Sequence, residues 1–409
     1  MPTTLLKRLL PITHYPLPQF LSPCVKTIFI STGEVSGDLQ GSLLVTALKR
    51  LAHKSGIDLN IVAIGGGKMA AAGADILVDT TGIGSMGFWE ALAYIQPSLQ
   101  VRRIVKRYLK TTPPDLIILI DYISSNLDLG TYANKELPDV PILYYIAPQE
   151  WVWSIANKNT NQIVKFTQEI FAIFPGEAKY FADRGAKVKF VGHPLIDRMA
   201  TLASREIARD KLGISDDEIA IALIPASRQQ ELKYLLPAIF GAAQKLQAKL
   251  PNVRFWIPLS RAAFQSDLES AIRSYQLNAT LVTQNADLVL CAADLAITKC
   301  GTVSLELAIL DIPQVVIYRV SRVTAWIVKY VFKFSIPYIS PPNLVEMKSI
   351  VPELIQNDAN PDRIVSESLE LIFNPARRDR MLADYSQMRT ALGDRGVCDR
   401  VAAEILAKL

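Results

Sequence analysis

The chain has 409 residues, of which 50% are hydrophobic and 20% are charged. One hydrophobic core rarely serves a chain of this length, so we expect two domains, and the composition excludes a disordered protein. The net charge of +5 comes without any dense run of Lys and Arg, which argues against a nucleic-acid partner. An anionic substrate or an anionic membrane surface would suit this charge.

Cysteine and histidine are scarce in the chain. The four cysteines have no CxxC spacing and there are only three histidines, so neither a zinc site nor a disulfide framework is predicted, and a reducing compartment is favoured. No uninterrupted apolar run reaches the ~18 residues that a membrane-spanning helix needs. Residues 1–25 lack acidic side chains and contain several prolines, which predicts a disordered extension, with a transit peptide as the alternative.

The first predicted strand covers residues 26–31, and a glycine-containing turn at 32–38 and a helix follow it. Backbone N–H groups in such a turn, together with the positive end of a helix, suit an anion or a sugar hydroxyl. The glycine spacing differs from the GxGxxG dinucleotide fingerprint. The alternative is that Gly33 and Gly37 serve only a tight turn.

The most informative stretch is residues 113–126. Two prolines precede five consecutive aliphatic residues, Leu116–Ile120, and Asp121 follows directly. Such a run is typical of a parallel strand buried on both faces, and parallel sheets bind ligands beyond the carboxyl ends of their strands. Asp121 therefore stands where a catalytic group is expected, although an aspartate after a strand is also common as a helix cap or turn residue.

Strands and helices alternate through the rest of the first half. Further strands are predicted at 60–64, 76–78, 142–146, 169–174 and 188–191, and a loop at 82–90 leads into a helix that ends at Leu109. This alternation predicts a doubly wound domain. Trp151 and Trp153 follow a strand, either as core residues or as an apolar wall for a ligand. His193 beside Pro194 is interpreted as a turn residue rather than a catalytic group, because no partner residues cluster near it in sequence.

The pattern restarts near residue 218, with strands predicted at 219–224, 253–257, 280–283, 288–291, 295–298 and 314–318. The predicted fold class is therefore α/β, with two Rossmann-like doubly wound domains that face each other across a cleft. We place an extension at 1–25, the first domain at 26–200 and the second domain at 201–375. Helices within 376–409 are expected to pack back on the first domain or on a partner subunit.

Two strand-end motifs in the second half suit a nucleotide. Ser227 and Arg228 precede a helix, where its N-terminus and a guanidinium would hold a diphosphate, unless the pair is only an N-cap and a surface cation. Gly301 and Thr302 repeat this arrangement. Glu306 lies about one turn into the next helix and could accept both hydroxyls of a ribose, or could be a residue that the helix dipole favours. The chain has no DxD sequence for a metal-bound diphosphate, so neither metal nor cofactor is expected.

Residues 314–343 combine basic and aromatic side chains with aliphatic ones. Arg322, Trp326, Lys329, Tyr330 and Phe334 belong to this pattern. An interfacial helix on anionic lipid has this composition, and so does an amphipathic helix that packs on a protein core.

In their order and spacing these motifs resemble the lipid-A-disaccharide synthases, inverting glycosyltransferases of family 19 with the GT-B fold. The resemblance spans residue 27 to about residue 394. It is carried by residues 33–38 (GEVSGD), 86–90 (MGFWE), 120–121, 192–195 (GHPL), 227–231, 301–306, 318–319, 342–344 (PNL) and 351–353 (VPE).

The resemblance implies an activity and a set of site residues. 2,3-Diacylglucosamine would pass from UDP-2,3-diacylglucosamine to 2,3-diacylglucosamine 1-phosphate, which forms a β-1,6-linked disaccharide 1-phosphate and UDP with inversion. Asp121 matches the proposed general base. The matched donor positions are Ser227, Arg228, Gly301, Thr302, Glu306 and Asn343. The matched acceptor or sugar positions are Gly33, Glu34, Ser36, Gly37, Met86, Gly87 and Glu90.

The resemblance also implies a cytoplasmic location with peripheral contact to the inner membrane. It leaves open whether the protein forms a homodimer. Three positions depart from the family pattern: Ala226 replaces a glycine, Cys300 a serine, and Ser154 an arginine near the expected sugar or acyl site. The alternatives are another UDP-N-acetylglucosamine enzyme of this fold, either a MurG-like transferase or a 2-epimerase, and a non-catalytic lipid- or nucleotide-binding protein.

Overall fold

The computed structural model describes residues 25–33, 35–80, 95–153, 157–326 and 337–409. Its first sheet has seven parallel strands in the order β3-β2-β1-β4-β5-β6-β7. These strands are β1 Lys26–Ser31, β2 Leu59–Gly65, β3 Asp75–Asp79, β4 Leu116–Ile120, β5 Ile142–Tyr145, β6 Glu169–Ala172 and β7 Val188–Phe190. The order changes direction between β1 and β4, which is where doubly wound sheets bind their ligands.

Helices cover both faces of this sheet. They are Val35–Lys54, Gly67–Ala71, Ile95–Thr111, Ile123–Glu136, Glu150–Trp153, Asn157–Phe166 and Pro175–Ala182. All five residues of β4 are fully buried, with β1 on one side and β5 on the other. A strand with this environment needs apolar side chains on both faces, which explains the uninterrupted aliphatic run in its sequence.

The second sheet has six parallel strands in the order β10-β9-β8-β11-β12-β13. They are β8 Ile219–Ile224, β9 Val253–Pro258, β10 Ala279–Val282, β11 Leu295–Lys299, β12 Gln314–Tyr318 and β13 Glu353–Ile355. Here the order changes direction between β8 and β11. The predicted fold class, two Rossmann-like α/β units, is confirmed.

The described helices after β7 include three of 13 to 19 residues, and the others have ten residues or fewer. The helices are Leu195–Met199, Arg205–Leu212, Gln229–Gln247, Gln265–Ser274, Asp287–Ala292, Thr302–Ile309, Arg322–Trp326, Pro341–Glu346, Pro361–Phe373, Pro375–Ala391 and Val397–Leu406, with a 3-10 turn at Ala262–Phe264. We call Leu195–Met199 the hinge helix, because it follows the first sheet and precedes the second. We call Val397–Leu406 the C-terminal helix.

The strand predicted at 288–291 is wrong, because these residues lie in helix Asp287–Ala292. A short apolar run fits a buried strand and a buried helix equally well, and periodicity cannot separate the two. The acidic Asp287 in the first turn favours the helix, and helix Arg205–Leu212 packs against it. The three-residue strand β13 was not predicted, since so short a run carries little pattern.

The C-terminal helix packs against helix Val35–Lys54 of the first half. An ion pair joins Arg50 to Asp399, and Lys189 Nζ lies 2.6 Å from Glu404 Oε1. The hinge helix holds the start of the C-terminal helix, because the Asp197 carboxylate accepts hydrogen bonds from the N–H groups of Gly396 (2.6 Å) and Cys398 (3.0 Å). The C-terminal helix is therefore fixed to the first half of the chain, whereas the preceding helix Pro375–Ala391 packs on helices of the second half.

Within the described ranges, no helix has the length and apolar character needed to cross a membrane. Of the predicted interfacial segment at 314–343, the structure describes strand β12, helix Arg322–Trp326 and helix Pro341–Glu346. Tyr330 and Phe334 lie outside the described residues, as do residues 1–24. Val323 and Trp326 are exposed, at 54% and 58%.

Asp38 joins the start of helix Val35–Lys54 to the loop after β2. Its buried carboxylate accepts three backbone hydrogen bonds, from Gly66 (2.8 Å), Met69 (3.0 Å) and Lys68 (3.1 Å). Asp38→Asn places an NH2 group against an N–H donor, so we expect the free energy of unfolding to fall by about 1–3 kcal/mol in urea titrations. Asp58→Asn, at an exposed position, is the control and should stay within about 0.5 kcal/mol of wild type. Equal stability of the two variants would contradict this account.

Candidate active site

The main cavity lies between the carboxyl ends of the two sheets and has a volume of ≈ 790 Å³. Strand-end residues of both halves line it, as expected for two doubly wound units that face each other. The predicted site residues in its wall are Ser36, Asp121, Ser227, Arg228, Gly301, Thr302 and Glu306.

Asp121 sits on a strained turn at the end of β4. Asp121 and Tyr122 both have left-handed backbone angles, with φ of 47° and 43°. The carbonyl oxygen of Asp121 accepts hydrogen bonds from Asn126 Nδ2 (2.7 Å) and Tyr144 Oη (2.9 Å), and its N–H donates to Ile146 O (2.8 Å). Non-glycine residues adopt this conformation where surrounding contacts impose it, and such strain clusters at functional sites.

Ser227 and Arg228 are held by a buried acid, Glu231, in the first turn of the helix that follows them. One oxygen of Glu231 accepts hydrogen bonds from the N–H groups of Ser227 (2.5 Å) and Arg228 (3.1 Å) and from Ser227 Oγ (3.1 Å). Its other oxygen lies 3.7 Å from both Arg228 Nη1 and Lys299 Nζ. Arg228 and Lys299 therefore present two cations to one end of the cavity.

Gly301, Thr302 and Glu306 form the neighbouring wall. Gly301 has φ +147°, a conformation that side-chain-bearing residues rarely adopt, and a Cβ there would lie 2.8 Å from Lys299 Nζ. Helix Thr302–Ile309 starts at the cavity edge, with its positive end toward the cavity. Glu306 is 7% exposed, and burial raises the pKa of its carboxyl while the Arg198 guanidinium lowers it.

The turn after β1 closes tightly on its surroundings. A Cβ at Gly33 would lie 2.0 Å from the Tyr122 ring, and a Cβ at Gly37 would lie 1.7 Å from Thr32 Oγ1. Close packing therefore requires both glycines, whatever else they bind. Gly37 lines a smaller cavity of ≈ 80 Å³ beside Asp121.

Other predicted residues lie elsewhere. Asn343 does not line either of these cavities and is 1% exposed. Its Oδ1 accepts from the N–H groups of Ile350 and Val351, both at 2.8 Å, and its Nδ2 donates to Val351 O (3.0 Å) and Glu353 Oε1 (2.7 Å). The asparagine thus holds a loop. Glu34, Met86, Gly87, Glu90 and Ser154 lie outside the described residues.

The positions that depart from the family pattern are compatible with contacts through the backbone. Ala226 is 5% exposed, and its carbonyl accepts a hydrogen bond from Ser260 Oγ (2.9 Å). Burial raises the pKa of the Cys300 thiol to about 12, so the thiol stays protonated, and its Sγ donates to Ile339 O (3.2 Å). Neither side chain places a charge in the cavity.

A second buried glutamate supports the loops of the first sheet. Glu177 accepts backbone hydrogen bonds from Ala147 (2.7 Å), Ile173 (2.8 Å) and Phe174 (3.1 Å), which belong to loops beside Asp121. Burial raises the pKa of Glu177 to about 8, although the three N–H donors oppose this shift. Its side chain therefore joins the ends of β5 and β6.

Four residues of the site region were given no role from the sequence: Lys299, Glu231, Glu353 and Arg198. Lys299 ends β11 directly before a glycine motif, so its position alone could have marked it as a cation of the site. Glu231 follows Arg228 by three residues, a spacing typical of acids that hold helix N-termini. Glu353 starts β13 and accepts hydrogen bonds from Ile339 and Ser340, which are too far away in sequence to give a local signal. Arg198 carries no local signal, because its partners are distant in sequence.

In the described part of the chain, no cluster of three or more His, Cys, Asp or Glu could hold a metal ion.

Comparison with known proteins places these features in a family. The family model for lipid-A-disaccharide synthetase matches residues 28–407. The lipid-A-disaccharide synthase of Gloeothece citriformis is 53% identical over 93% of this chain and 99% of the relative. Two solved structures share the fold: S. aureus MnaA with UDP (15% identity, TM-score 0.65, 94% and 98% of the two chains) and Acinetobacter baumannii MurG (14% identity, TM-score 0.55, 93% and 99%).

His193 gives a pH-dependent prediction. Its ring is 3% exposed, lies 5.2 Å from the Phe174 ring, and its Nδ1 accepts the Leu195 N–H (3.2 Å). Burial lowers its pKa to about 3, so its contribution to stability is present above pH ~6.5 and is lost as the pH falls. Between pH 6.5 and 5.0 this one group should reduce the free energy of unfolding by about 2 kcal/mol.

The measurement is urea unfolding of wild type and His193→Asn at pH 7.5 and 5.0. Asn Oδ1 can replace Nδ1 as the acceptor for Leu195, so the variant should fold and lose about 2 kcal/mol less on acidification. His53→Asn, at an exposed position, should retain the wild-type pH dependence. A parallel fall in wild type and His193→Asn would show that His193 is not held neutral.

Proposed function

The chain belongs to the lipid-A-disaccharide synthase family, and on that premise we propose how this glycosyltransferase uses the cavity between its sheets. The observation that carries the proposal is the family match over residues 28–407. The matched donor and base positions Asp121, Arg228 and Glu306 all line one cavity, which supports a single reaction centre there. The assignment of 26–200 to the acceptor and 201–375 to the donor is part of this proposal.

The donor nucleotide is proposed to bind at the second sheet. Arg228 and Lys299 would neutralise the diphosphate, together with backbone N–H groups at Ser227, Gly301 and Thr302. Glu306 would accept the ribose hydroxyls. The arrangement supplies positive charge without a metal, which fits the absence of DxD in the sequence. Asn343 would act indirectly, since it holds the loop beside the cavity.

The acceptor is proposed to bind at the first sheet, near Ser36 and Asp121. The Asp121 carboxylate would remove the proton from the 6-hydroxyl of 2,3-diacylglucosamine 1-phosphate. The O6–C1 bond forms as the bond from C1 to the UDP oxygen breaks, with inversion at C1. The electron pair leaves with UDP, whose charge the cations of the donor site stabilise, and the proton passes from Asp121 to solvent.

The first experiment is turnover of UDP-2,3-diacylglucosamine and 2,3-diacylglucosamine 1-phosphate in the presence of EDTA. We expect UDP release together with a disaccharide 1-phosphate detected by mass spectrometry. Asp121→Asn should lower kcat by about 10²–10⁴-fold, the range for loss of a general base, while UDP affinity remains unchanged.

Asp139→Asn is the control for this variant, because Asp139 is exposed and precedes β5 at the opposite end of the sheet from the cavity. It should retain wild-type kcat. Wild-type turnover by Asp121→Asn would refute the general-base role. UDP binding without product would direct the search to other acceptors, starting with those of a MurG-like enzyme.

The epimerase and MurG alternatives rest on fold alone, since those structures share 15% identity or less with the chain. An epimerase would need further acids and a histidine around the sugar. His193 is the candidate histidine, but it is buried, and its Nδ1 is occupied by the Leu195 N–H. The family match favours the disaccharide synthase over both.

Peripheral membrane contact is a further part of the proposal, because the substrates carry acyl chains. Val323 and Trp326 are exposed apolar side chains of helix Arg322–Trp326, within the segment where basic and aromatic residues interleave. Whether two copies of the chain associate stays a prediction.

Flotation with phosphatidylglycerol vesicles tests the membrane contact. The double variant Val323→Ser, Trp326→Ser should lose at least about half of the vesicle-bound fraction, because buried apolar area drives interfacial binding. Phe373→Ser is the matched control, since Phe373 is 63% exposed on a different helix and should not alter flotation. Equal flotation of all three proteins would exclude this helix as the contact.

A further inference from the structure

Arg198 joins the hinge helix to the wall of the main cavity. Its Nη1 lies 2.7 Å from Glu306 Oε1, and its Nη2 lies 2.8 Å from both carboxylate oxygens of Asp287. Only 14% of the Arg198 side chain is exposed, and the residue lines the cavity. Two helices of the second sheet are thereby tied to the helix that leaves the first sheet.

The contact leaves part of Glu306 available to a ligand. Among the described residues, the hydrogen bond to the Glu306 side chain comes from Arg198, which donates to Oε1. A guanidinium that takes one oxygen fixes the orientation of the carboxylate plane, because Arg198 is itself fixed by its two contacts to Asp287. Glu306 lines the cavity, and Oε2 is not the oxygen that Arg198 binds, so this second oxygen is left for a ligand there.

The electrostatic surroundings make Glu306 depend on this arginine. Burial and the Asp287 charge both raise the pKa of Glu306. Arg198 from the hinge helix opposes them most strongly, and Lys68 of helix Gly67–Ala71 and Lys299 of β11 add smaller effects. A buried carboxylate that loses its main cationic partner becomes easier to protonate.

We propose that Arg198 is a positioning residue for the donor: it keeps Glu306 oriented and ionised to accept the ribose hydroxyls of UDP, and it connects donor binding to the hinge helix. The inference rests on the proposed function, because it takes Glu306 as a nucleotide-binding residue. The neighbouring Asp197 anchors the C-terminal helix, so two consecutive side chains tie the hinge helix to both halves of the molecule.

The test is UDP affinity measured by calorimetry at pH 8 and pH 6 with the full-length chain. The terminal phosphate of UDP itself titrates at about pH 6, so each variant is compared with wild type at the same pH. Relative to wild type, Arg198→Met should bind UDP about tenfold more weakly at pH 8, as for loss of a charge-assisted hydrogen bond, and about a hundredfold more weakly at pH 6. In turnover, KM for the donor should rise while kcat stays within about threefold.

Two further variants separate charge from folding. Arg198→Lys keeps the positive charge and should restore the wild-type pH profile, with an affinity between those of wild type and Arg198→Met. Arg198→Gln is neutral but polar, so it replaces Arg198→Met if that variant does not fold, and it should show the same pH dependence.

Arg209→Met is the matched control for loss of a buried arginine. Arg209 is 11% exposed at its side chain, pairs with Asp294 at 3.2 Å, and lies away from the cavity wall. Its loss should reduce thermal stability while leaving UDP affinity and its pH profile unchanged. Wild type that fails to bind UDP would overturn the proposed function. UDP binding by wild type and the neutral Arg198 variants alike, at both pH values, would overturn the role of Arg198 alone.

Discussion

Buried acidic side chains that accept backbone hydrogen bonds hold the loops around the cavity. Asp38 binds the loop after β2, Glu177 binds those after β5 and β6, and Glu231 binds the turn after β8. Glu353 likewise accepts the N–H groups of Ile339 (3.0 Å) and Ser340 (2.9 Å). Each acid accepts hydrogen bonds from several N–H groups that have no partner in a sheet or helix and would otherwise need water. These bonds hold the strand-end loops in one defined conformation.

The acidic residues of the motifs therefore occupy two kinds of environment. Asp121 and Glu306 face the cavity, whereas Asp38, Glu231 and Glu353 turn inward and hold the backbone. Both kinds lie in or near strand-end segments, so they look alike in a single sequence. They differ in whether the side chain faces the cavity or binds the backbone of a neighbouring loop.

The sheets and most of the cavity wall could be predicted, because buried parallel strands need long apolar runs and the next residues must meet at one edge. This rule predicts Asp121, Arg228 and Glu306 at the cavity, and all three line it, while their roles stay predictions. Arg198 and Lys299 were given no role, and Asn343 was expected at the ligand rather than in a loop. Ion pairs between residues some hundred positions apart have no local pattern, and a short helix such as Asp287–Ala292 shares its pattern with a strand.

The packing of the C-terminal helix on helix Val35–Lys54 also affects the order of folding during synthesis. The first 200 residues leave the ribosome long before residues 397–406 exist, so one apolar face of the first domain has no cover for most of translation. The N-terminal half can form its sheet early but cannot bury that face until residues 397–406 have been synthesised. Burial of this face is therefore a late event in the folding of the first half.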